Sequence, residues 1–386
     1  MRVAFAGGGT GGHIYPALAI DEALRADAEK KGEPYEARFF GNPRGLEAEV
    51  VPAHMPLTLV PSRPLSRKLE LQLALTVLDN ARGIALAGAA LVAFKPDVVV
   101  ATGGYVCFPV AVAARLLRVT RTIDPAIAML EINAVPGLTN RLLAPLVDEV
   151  WGAFAQSHAT FGRKFILTGT PTRASLRTHL APETARVMLG LNPAKTTVVV
   201  MGGSQGARSI NEATTGLVTR RSLPDTWQVL HICGRRDYEY MKAEHRALPA
   251  GNHVRLLDYL EDPAPAYAAA DLVVARSGAS TLAELAVTAT PSLLVPYPRA
   301  AEEHQLRNAD EFSRSGAAAV LEDRELSADA LWWRLVEMLE PQRLASMRRA
   351  ARELGPPDAT AAIVRRVAAL ASLRVKSEQL AKDHAT

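Results

Sequence analysis

The chain has 386 residues, 48% hydrophobic, 22% charged and 5% aromatic, with a formal net charge of +4. That length exceeds the ~250–300 residues at which one core stops growing, so two globular domains are expected, and the few aromatics argue against a nucleic-acid stacking platform. The mild positive charge is compatible with an anionic ligand or an anionic membrane surface.

Met1-Arg2-Val3-Ala4-Phe5 runs straight into a strand pattern, so no signal peptide is expected. The strand 3–6 closes on Gly7-Gly8-Gly9-Thr10-Gly11-Gly12-His13, and a helix is expected over about 14–31. Strands follow at 37–40 and 57–60. Arg67 and Lys68 then precede a leucine-rich stretch that includes Leu69, Leu71, Leu73, Leu75 and Leu78, followed by Ile84-Ala85-Leu86. This pattern suits a buried core helix, or an amphipathic helix lying on an anionic membrane. No uncharged stretch reaches the ~20 residues needed to span a bilayer. A buried strand at 97–101 ends in Thr102-Gly103-Gly104-Tyr105, with a helix over about 109–117. Short strands at 149–151 and 165–167 lead to the turn-rich Gly169-Thr170-Pro171-Thr172, read as the domain boundary. The second half repeats the theme, with strands at 196–201, 228–233, 254–257, 272–275 and 292–295 and helical runs between them. A helical tail spans about 339–373, with Pro356-Pro357 as a break and frayed residues beyond. Cys107 and Cys233 match no metal or redox spacing and read as small buried side chains of a reducing compartment.

Strands alternating with helices predict an α/β fold of parallel sheets covered on both faces, with ligands beyond the carboxyl ends of the strands. The glycine motifs lie there. The second of them, Gly202-Gly203-Ser204-Gln205-Gly206-Ala207-Arg208, again sits between a β-branched run and a helix. A strand, a glycine turn and a helix start together favour a bound phosphate through backbone N–H groups and the helix dipole. Neither loop follows the G-x-G-x-x-G or P-loop pattern, so the residues alone say phosphate or pyrophosphate and no more. Two such units suit an enzyme that moves a group from a nucleotide-activated donor.

Four segments carry a family resemblance: the two glycine loops, Asn133-Ala134-Val135-Pro136-Gly137-Leu138-Thr139-Asn140-Arg141, and Arg276-Ser277-Gly278-Ala279-Ser280-Thr281-Leu282-Ala283-Glu284. In this order they resemble the MurG-type peptidoglycan glycosyltransferases, over residues 1 to about 370. The resemblance implies the GT-B architecture, two Rossmann-like domains facing a deep cleft. Residues 1–168 would form the acceptor and membrane side, joined by a returning helix over about 345–373. Residues 169–344 would hold the UDP-sugar, and 374–386 would be a frayed tail.

The implied roles follow residue by residue. His13 would help activate the acceptor hydroxyl or position the donor, with Glu131 the second catalytic candidate. By itself His13 also suits a structural helix-start histidine. Gly8, Gly9, Gly103, Gly104 and Tyr105 would face the acceptor, and Thr10, Gly11, Gly12 and Asn133 the donor. Leu130 and Ile132 stand where the family has histidine and glutamine, so two polar side chains are missing around Glu131. Arg173 would contact the uracil or diphosphate from the hinge, Ser204 the phosphates or ribose, and Leu260 the uracil ring. Ala279, Ser280 and Thr281 would open a helix onto the UDP diphosphate, and Glu284 would grip the ribose hydroxyls. Gln305 and Asn308 would read the sugar hydroxyls. Arg67, Lys68, Leu69 and Leu73 would meet the membrane.

The resemblance thus implies an inverting transfer of N-acetylglucosamine from UDP-N-acetylglucosamine to undecaprenyl-diphosphate-muramyl-pentapeptide. The place would be the cytoplasmic face of the plasma membrane, with no essential metal and no cofactor. Three alternatives stay open: a UDP-hexose:diacylglycerol glycosyltransferase, a UDP-sugar 2-epimerase on the same architecture, and a silent sugar-nucleotide-binding subunit.

Overall fold

The computed structural model describes residues 1–63, 70–203, 206–221, 223–246, 253–300, 303–354 and 358–383. Arg67, Lys68, Leu69 and Ser204 lie outside the described residues. The chain divides into two units, Met1–Thr172 with Pro357–Thr386, and Arg173–Pro356.

The first unit is built on β1 (Arg2–Gly7), β2 (Glu36–Gly41), β3 (Leu57–Leu59), β4 (Val98–Gly103), β5 (Ala126–Glu131), β6 (Glu149–Gly152) and β7 (Phe165–Leu167). They form one parallel sheet in the order β3-β2-β1-β4-β5-β6-β7. Val98, Val99 and Val100 are fully buried, as expected of a central strand with helices on both faces. The second unit carries β8 (Thr196–Met201), β9 (Trp227–Ile232), β10 (Val254–Leu257), β11 (Leu272–Ala275), β12 (Ser292–Leu294) and β13 (Ala318–Val320). Their order is β10-β9-β8-β11-β12-β13, again all parallel.

The C-terminal segment differs from expectation. Residues 341–354 form a helix of the second unit, because Met347 and Ala351 are buried in its core. Only the helix Ala359–Asp383 joins the first unit, where it buries Ile363 and Val367, and it continues through most of the segment expected to fray. The first unit also extends to Thr172. The Thr172 N–H donates to Thr360 Oγ1 (3.2 Å) and the Thr360 hydroxyl donates back to Thr172 O (3.1 Å), which ties the end of the unit to the returning helix.

Candidate active site

In the first sheet the strand order reverses between β1 and β4, the point at which α/β sheets bind ligands. The loops that follow these two strands meet there: Gly8 N–H donates to Gly103 O (3.1 Å). Gly104 has a φ of 89°, and a Cβ on it would stand 2.4 Å from Gly8 O, so the approach requires glycine. His13 lies in the first turn of the helix Gly11–Lys31, with Nδ1 2.8 Å from Gly8 O. A carbonyl only accepts, so Nδ1 carries the proton of the neutral ring and the lone pair lies on Nε2. The Thr102 hydroxyl donates to the main-chain O of His13 (2.7 Å). The Cys107 thiol donates to Ala6 O and accepts from Gly103 N–H, both at 3.2 Å. Burial pushes that thiol up to about 12, so it packs as a neutral group. Gly8 and Gly103 therefore flank the His13 ring, a Cβ on Gly103 standing 2.4 Å from it; Gly9, Thr10, Gly11, Gly12 and Gly104 belong to the same two loops, and Tyr105 beside them is half exposed.

Glu131 lies beneath the loop that follows β5. It ends β5, is 1% exposed, and both its oxygens are engaged. One accepts from Asn133 N–H (3.0 Å) and Asn133 Nδ2 (3.3 Å), the other from Gly137 N–H (3.0 Å) and Asn140 Nδ2 (2.9 Å). Burial raises its pKa, and these bonds work against that rise. The carboxylate fastens the loop 132–137, and Asn133 is held with it. Leu130 is buried in β5, and Ile132 is buried just after the strand, so the two family departures fall on buried positions.

In the second sheet the order reverses between β8 and β11. The loop after β11 enters the helix Ala279–Val287, whose first turn is Ala279, Ser280 and Thr281 behind an extended Gly278. Such a helix start favours an anion. Arg276 organises both loops. Its guanidinium is largely buried and donates to Val295 O (3.1 Å), Pro296 O (3.2 Å), Asp323 Oδ1 (2.5 Å) and Ser209 Oγ (2.9 Å). Ser209 stands in the first turn of the helix Arg208–Arg220 that follows the second glycine loop.

Glu284 lies in the second turn of the helix Ala279–Val287, and its Oε2 accepts from the Tyr267 hydroxyl (2.8 Å). Burial raises its pKa; the Tyr267 bond and the charge of Arg173 lower it. Arg173 also donates to Glu261 O, next to Leu260, which packs partly buried against the core of this unit. The structure thus groups Arg173, Leu260 and Glu284. Gln305 opens a neighbouring helix; its Oε1 accepts from Tyr297 N–H (2.9 Å), its main-chain O accepts from the Ser277 hydroxyl (2.7 Å), and its Nε2 meets no partner among the described residues. Asn308 is fully buried in the same helix, with Nδ2 3.5 Å from Ser277 O, which places it against the turn that precedes the helix Ala279–Val287. The candidate donor residues fall into two sets: Thr10, Gly11, Gly12 and Asn133 in the first unit, the remainder in the second.

The helix Glu70–Phe94 contains Leu73 and buries Thr76, Asn80, Ala87 and Leu91 in the first unit, where it packs on the helix Cys107–Val119. Its segment Leu75–Phe94 is long and apolar enough, by length and composition, to cross a membrane. Leu75, Val77, Leu78 and Leu86 are exposed by 42–65%, while Ile84 packs against the core. Sequence reasoning missed Glu47, Tyr267 and the organising role of Arg276. Only Arg276 carried a signal, its position one residue before a helix-opening Ser-Gly.

Two Rossmann-like units, each with a glycine turn and a helix start at its sheet's reversal point, make the GT-B architecture of nucleotide-sugar enzymes, and the family comparison narrows the class to a glycosyltransferase. Comparison with known proteins agrees. Residues 3–151 match the glycosyltransferase family 28 N-terminal domain and residues 197–363 the family 28 C-terminal domain. A UDP-N-acetylglucosamine–N-acetylmuramyl-(pentapeptide) pyrophosphoryl-undecaprenol N-acetylglucosamine transferase of Desulforamulus reducens is 37% identical, over 95% of this chain and 97% of its own. The protein of that name from Moorella thermoacetica is 40% identical, over 94% and 97%. A crystal structure of MurG from Acinetobacter baumannii superposes with a TM-score of 0.71 at 26% identity, covering 95% of this chain and 98% of that one. A UDP-N-acetylglucosamine 2-epimerase shares the fold alone, at TM-score 0.61 and 14% identity over 94% of each chain. The chain belongs to glycosyltransferase family 28 and, within it, to the MurG family.

Proposed function

We propose that the chain transfers N-acetylglucosamine from UDP-N-acetylglucosamine to the 4-hydroxyl of the muramyl unit of undecaprenyl-diphosphate-muramyl-pentapeptide, a step of peptidoglycan synthesis. The observation that carries this reading is the relatives' identity of 37–40% over almost the whole chain. His13 Nε2 takes the proton of the attacking hydroxyl while its oxygen bonds to the anomeric carbon; the bond to UDP breaks, UDP leaves with the electron pair, and the configuration inverts. In the second unit the turn Ala279–Thr281 holds the diphosphate, with backbone amides stabilising its charge in the place a metal often takes. Glu284 accepts from the ribose hydroxyls, Arg173 and Leu260 frame the base, and Gln305 donates to the sugar. Ser204 belongs to the phosphate-binding loop by its position in the sequence.

The exposed apolar face of the helix Glu70–Phe94, next in sequence to Arg67 and Lys68, supports peripheral docking on the anionic cytoplasmic face of the plasma membrane. The test is incubation with labelled UDP-N-acetylglucosamine and the lipid-linked muramyl acceptor. Label on the lipid, with UDP released one for one, is the expected result. Labelled diacylglycerol, or conversion of the sugar nucleotide with no acceptor present, would replace this reading with one of the alternatives. His13→Ala should lower turnover by ~10²–10⁴, the usual contribution of a general base, with UDP affinity unchanged. Normal turnover in that variant would remove His13 from the chemistry.

A further inference from the structure

Glu47 opens the short helix Glu47–Val50 and is fully buried. A buried carboxylate is costly unless hydrogen bonds satisfy it, and here both oxygens accept from main-chain amides. Oε1 accepts from Asn42 N–H (2.8 Å) and Oε2 from Gly9 N–H (2.9 Å). The fit depends on a missing side chain, since a Cβ on Gly8 would stand 2.0 Å from Glu47 Oε1.

The Gly9 N–H and the Gly8 carbonyl are the two ends of one peptide group. The N–H end faces Glu47, and the carbonyl end accepts from His13 Nδ1 at 2.8 Å. Carboxylate, peptide and imidazole therefore form a single hydrogen-bonded line. Negative charge at the N–H end of an amide polarises it and makes its oxygen a better acceptor. A better acceptor at Gly8 holds the proton on Nδ1, keeps the lone pair on Nε2, and stabilises the imidazolium once Nε2 has taken a proton. A carboxylate bonded directly to an imidazole does the same in hydrolytic triads; here a peptide stands between them. The Asn42 side chain is engaged with Ser62, through its main-chain O and hydroxyl (2.8 and 2.9 Å), and the nearby Cys107 thiol is neutral. The Thr102 hydroxyl donates to the His13 main-chain O.

We propose that Glu47 is a positioning residue of this enzyme, fixing the tautomer and orientation of His13 through the Gly8–Gly9 peptide. The inference rests on His13 as the base, but its decisive measurement does not. The experiment is ¹⁵N NMR of the full chain with labelled histidine, the His13 signals being assigned by their loss in His13→Gln. In the unsubstituted protein His13 should show a protonated Nδ1 and a lone pair on Nε2.

Glu47→Gln has one acceptor oxygen for two N–H donors and no charge. It should give mixed tautomers and lower kcat by about 10- to 100-fold, by analogy with the loss seen when the partner that orients a metal-bound imidazole is removed. The KM for UDP-N-acetylglucosamine should stay within about twofold, and the acidic limb of the pH–rate profile should move to lower pH, as expected when the imidazolium loses a negative partner. Glu47→Asp keeps the charge and should recover part of the Nε2 signature and of kcat, and it carries the test if the glutamine variant does not fold. A lone pair on Nδ1 in the unsubstituted protein, or an unchanged tautomer and acidic limb in Glu47→Gln, or an aspartate variant no better than glutamine, would overturn the proposal. If His13→Ala turns over normally the base assignment falls, and the NMR result then decides the role of Glu47 by itself.

Discussion

Mild acid should weaken the second unit through one buried histidine. His231 lies in β9, fully buried. Asn211 Nδ2 donates to Cys233 O (2.9 Å) and Asp237 Oδ2 (3.0 Å), so Asn211 Oδ1 is the acceptor that faces His231 Nε2 (3.0 Å). His231 Nδ1 is then the acceptor for His245 Nε2, 3.3 Å away. Thr215 and Met241 complete the cluster, and Val200 and Leu256 flank His231 on the adjacent strands. Burial, with a smaller contribution from the charge of His245, pushes His231 down from 6.5 to about 3, and burial lowers His245 as well. The unfolded chain takes up a proton at His231 below 6.5 whereas the folded chain does not until about 3, so stability is complete above 6.5 and falls steadily as the pH drops between these values.

Each unit of difference is worth ~1.4 kcal/mol, so the loss by pH 5 is about 2 kcal/mol from this residue. The assay is urea unfolding at pH 7 and pH 5, followed by tryptophan fluorescence. Trp227, Trp332 and Trp333 belong to the second unit, so the signal reports mainly on it. His231→Gln keeps a donor for Asn211 and cannot titrate. Its stability should fall between the two pH values by about 2 kcal/mol less than that of the unsubstituted protein. Equal losses in both proteins would refute the reasoning. The same network supports the second glycine loop, because a Cβ on Gly206 would stand 2.6 Å from the Cys233 O that Asn211 holds. UDP affinity should therefore weaken alongside stability.

Glu284→Ala should weaken UDP binding by ~1.5–3 kcal/mol, the range for a hydrogen bond to a charged group, and unchanged affinity by calorimetry would remove the ribose assignment. Because burial raises the Glu284 pKa, UDP affinity should begin to fall at a higher pH than an ordinary carboxylate would allow, and Glu284→Gln should abolish that part of the dependence. Replacing Leu75, Val77 and Leu78 with serine should leave the fold intact, since all three are exposed, and should reduce sedimentation with anionic vesicles; undiminished binding would move the docking face elsewhere. Leu91→Ser, on the buried face of the same helix, should instead destabilise the first unit by ~2–5 kcal/mol, the range for large core truncations.

What the sequence revealed and what it hid divide along a physical line. Runs such as Val98-Val99-Val100 and Val198-Val199-Val200 announce central parallel strands, because side chains on both faces of such a strand must be apolar. The glycine motifs at their ends mark the helix starts that can hold phosphate. Strand order is a different matter. Nothing in the spacing says that β1 lies beside β4, which is what brings Gly8 to Gly103. Nor does spacing separate the carboxylates. Glu131 ends a strand and Glu284 lies in the helix after one, both within recognisable motifs, yet one fastens its own loop with both oxygens while the other meets a single tyrosine hydroxyl. The deciding partners of Glu131 and Glu47 are mostly main-chain N–H groups, which every residue but proline carries and which therefore leave no mark in the sequence. Glu47 lies 38 residues from the Gly9 amide it receives. It reads as an ordinary surface glutamate until the fold places it under the first glycine loop. A carboxylate that acts through backbone atoms is for this reason the kind of functional residue that motif reading overlooks, and the places to search for one are the amides of the turns whose glycines a motif does reveal.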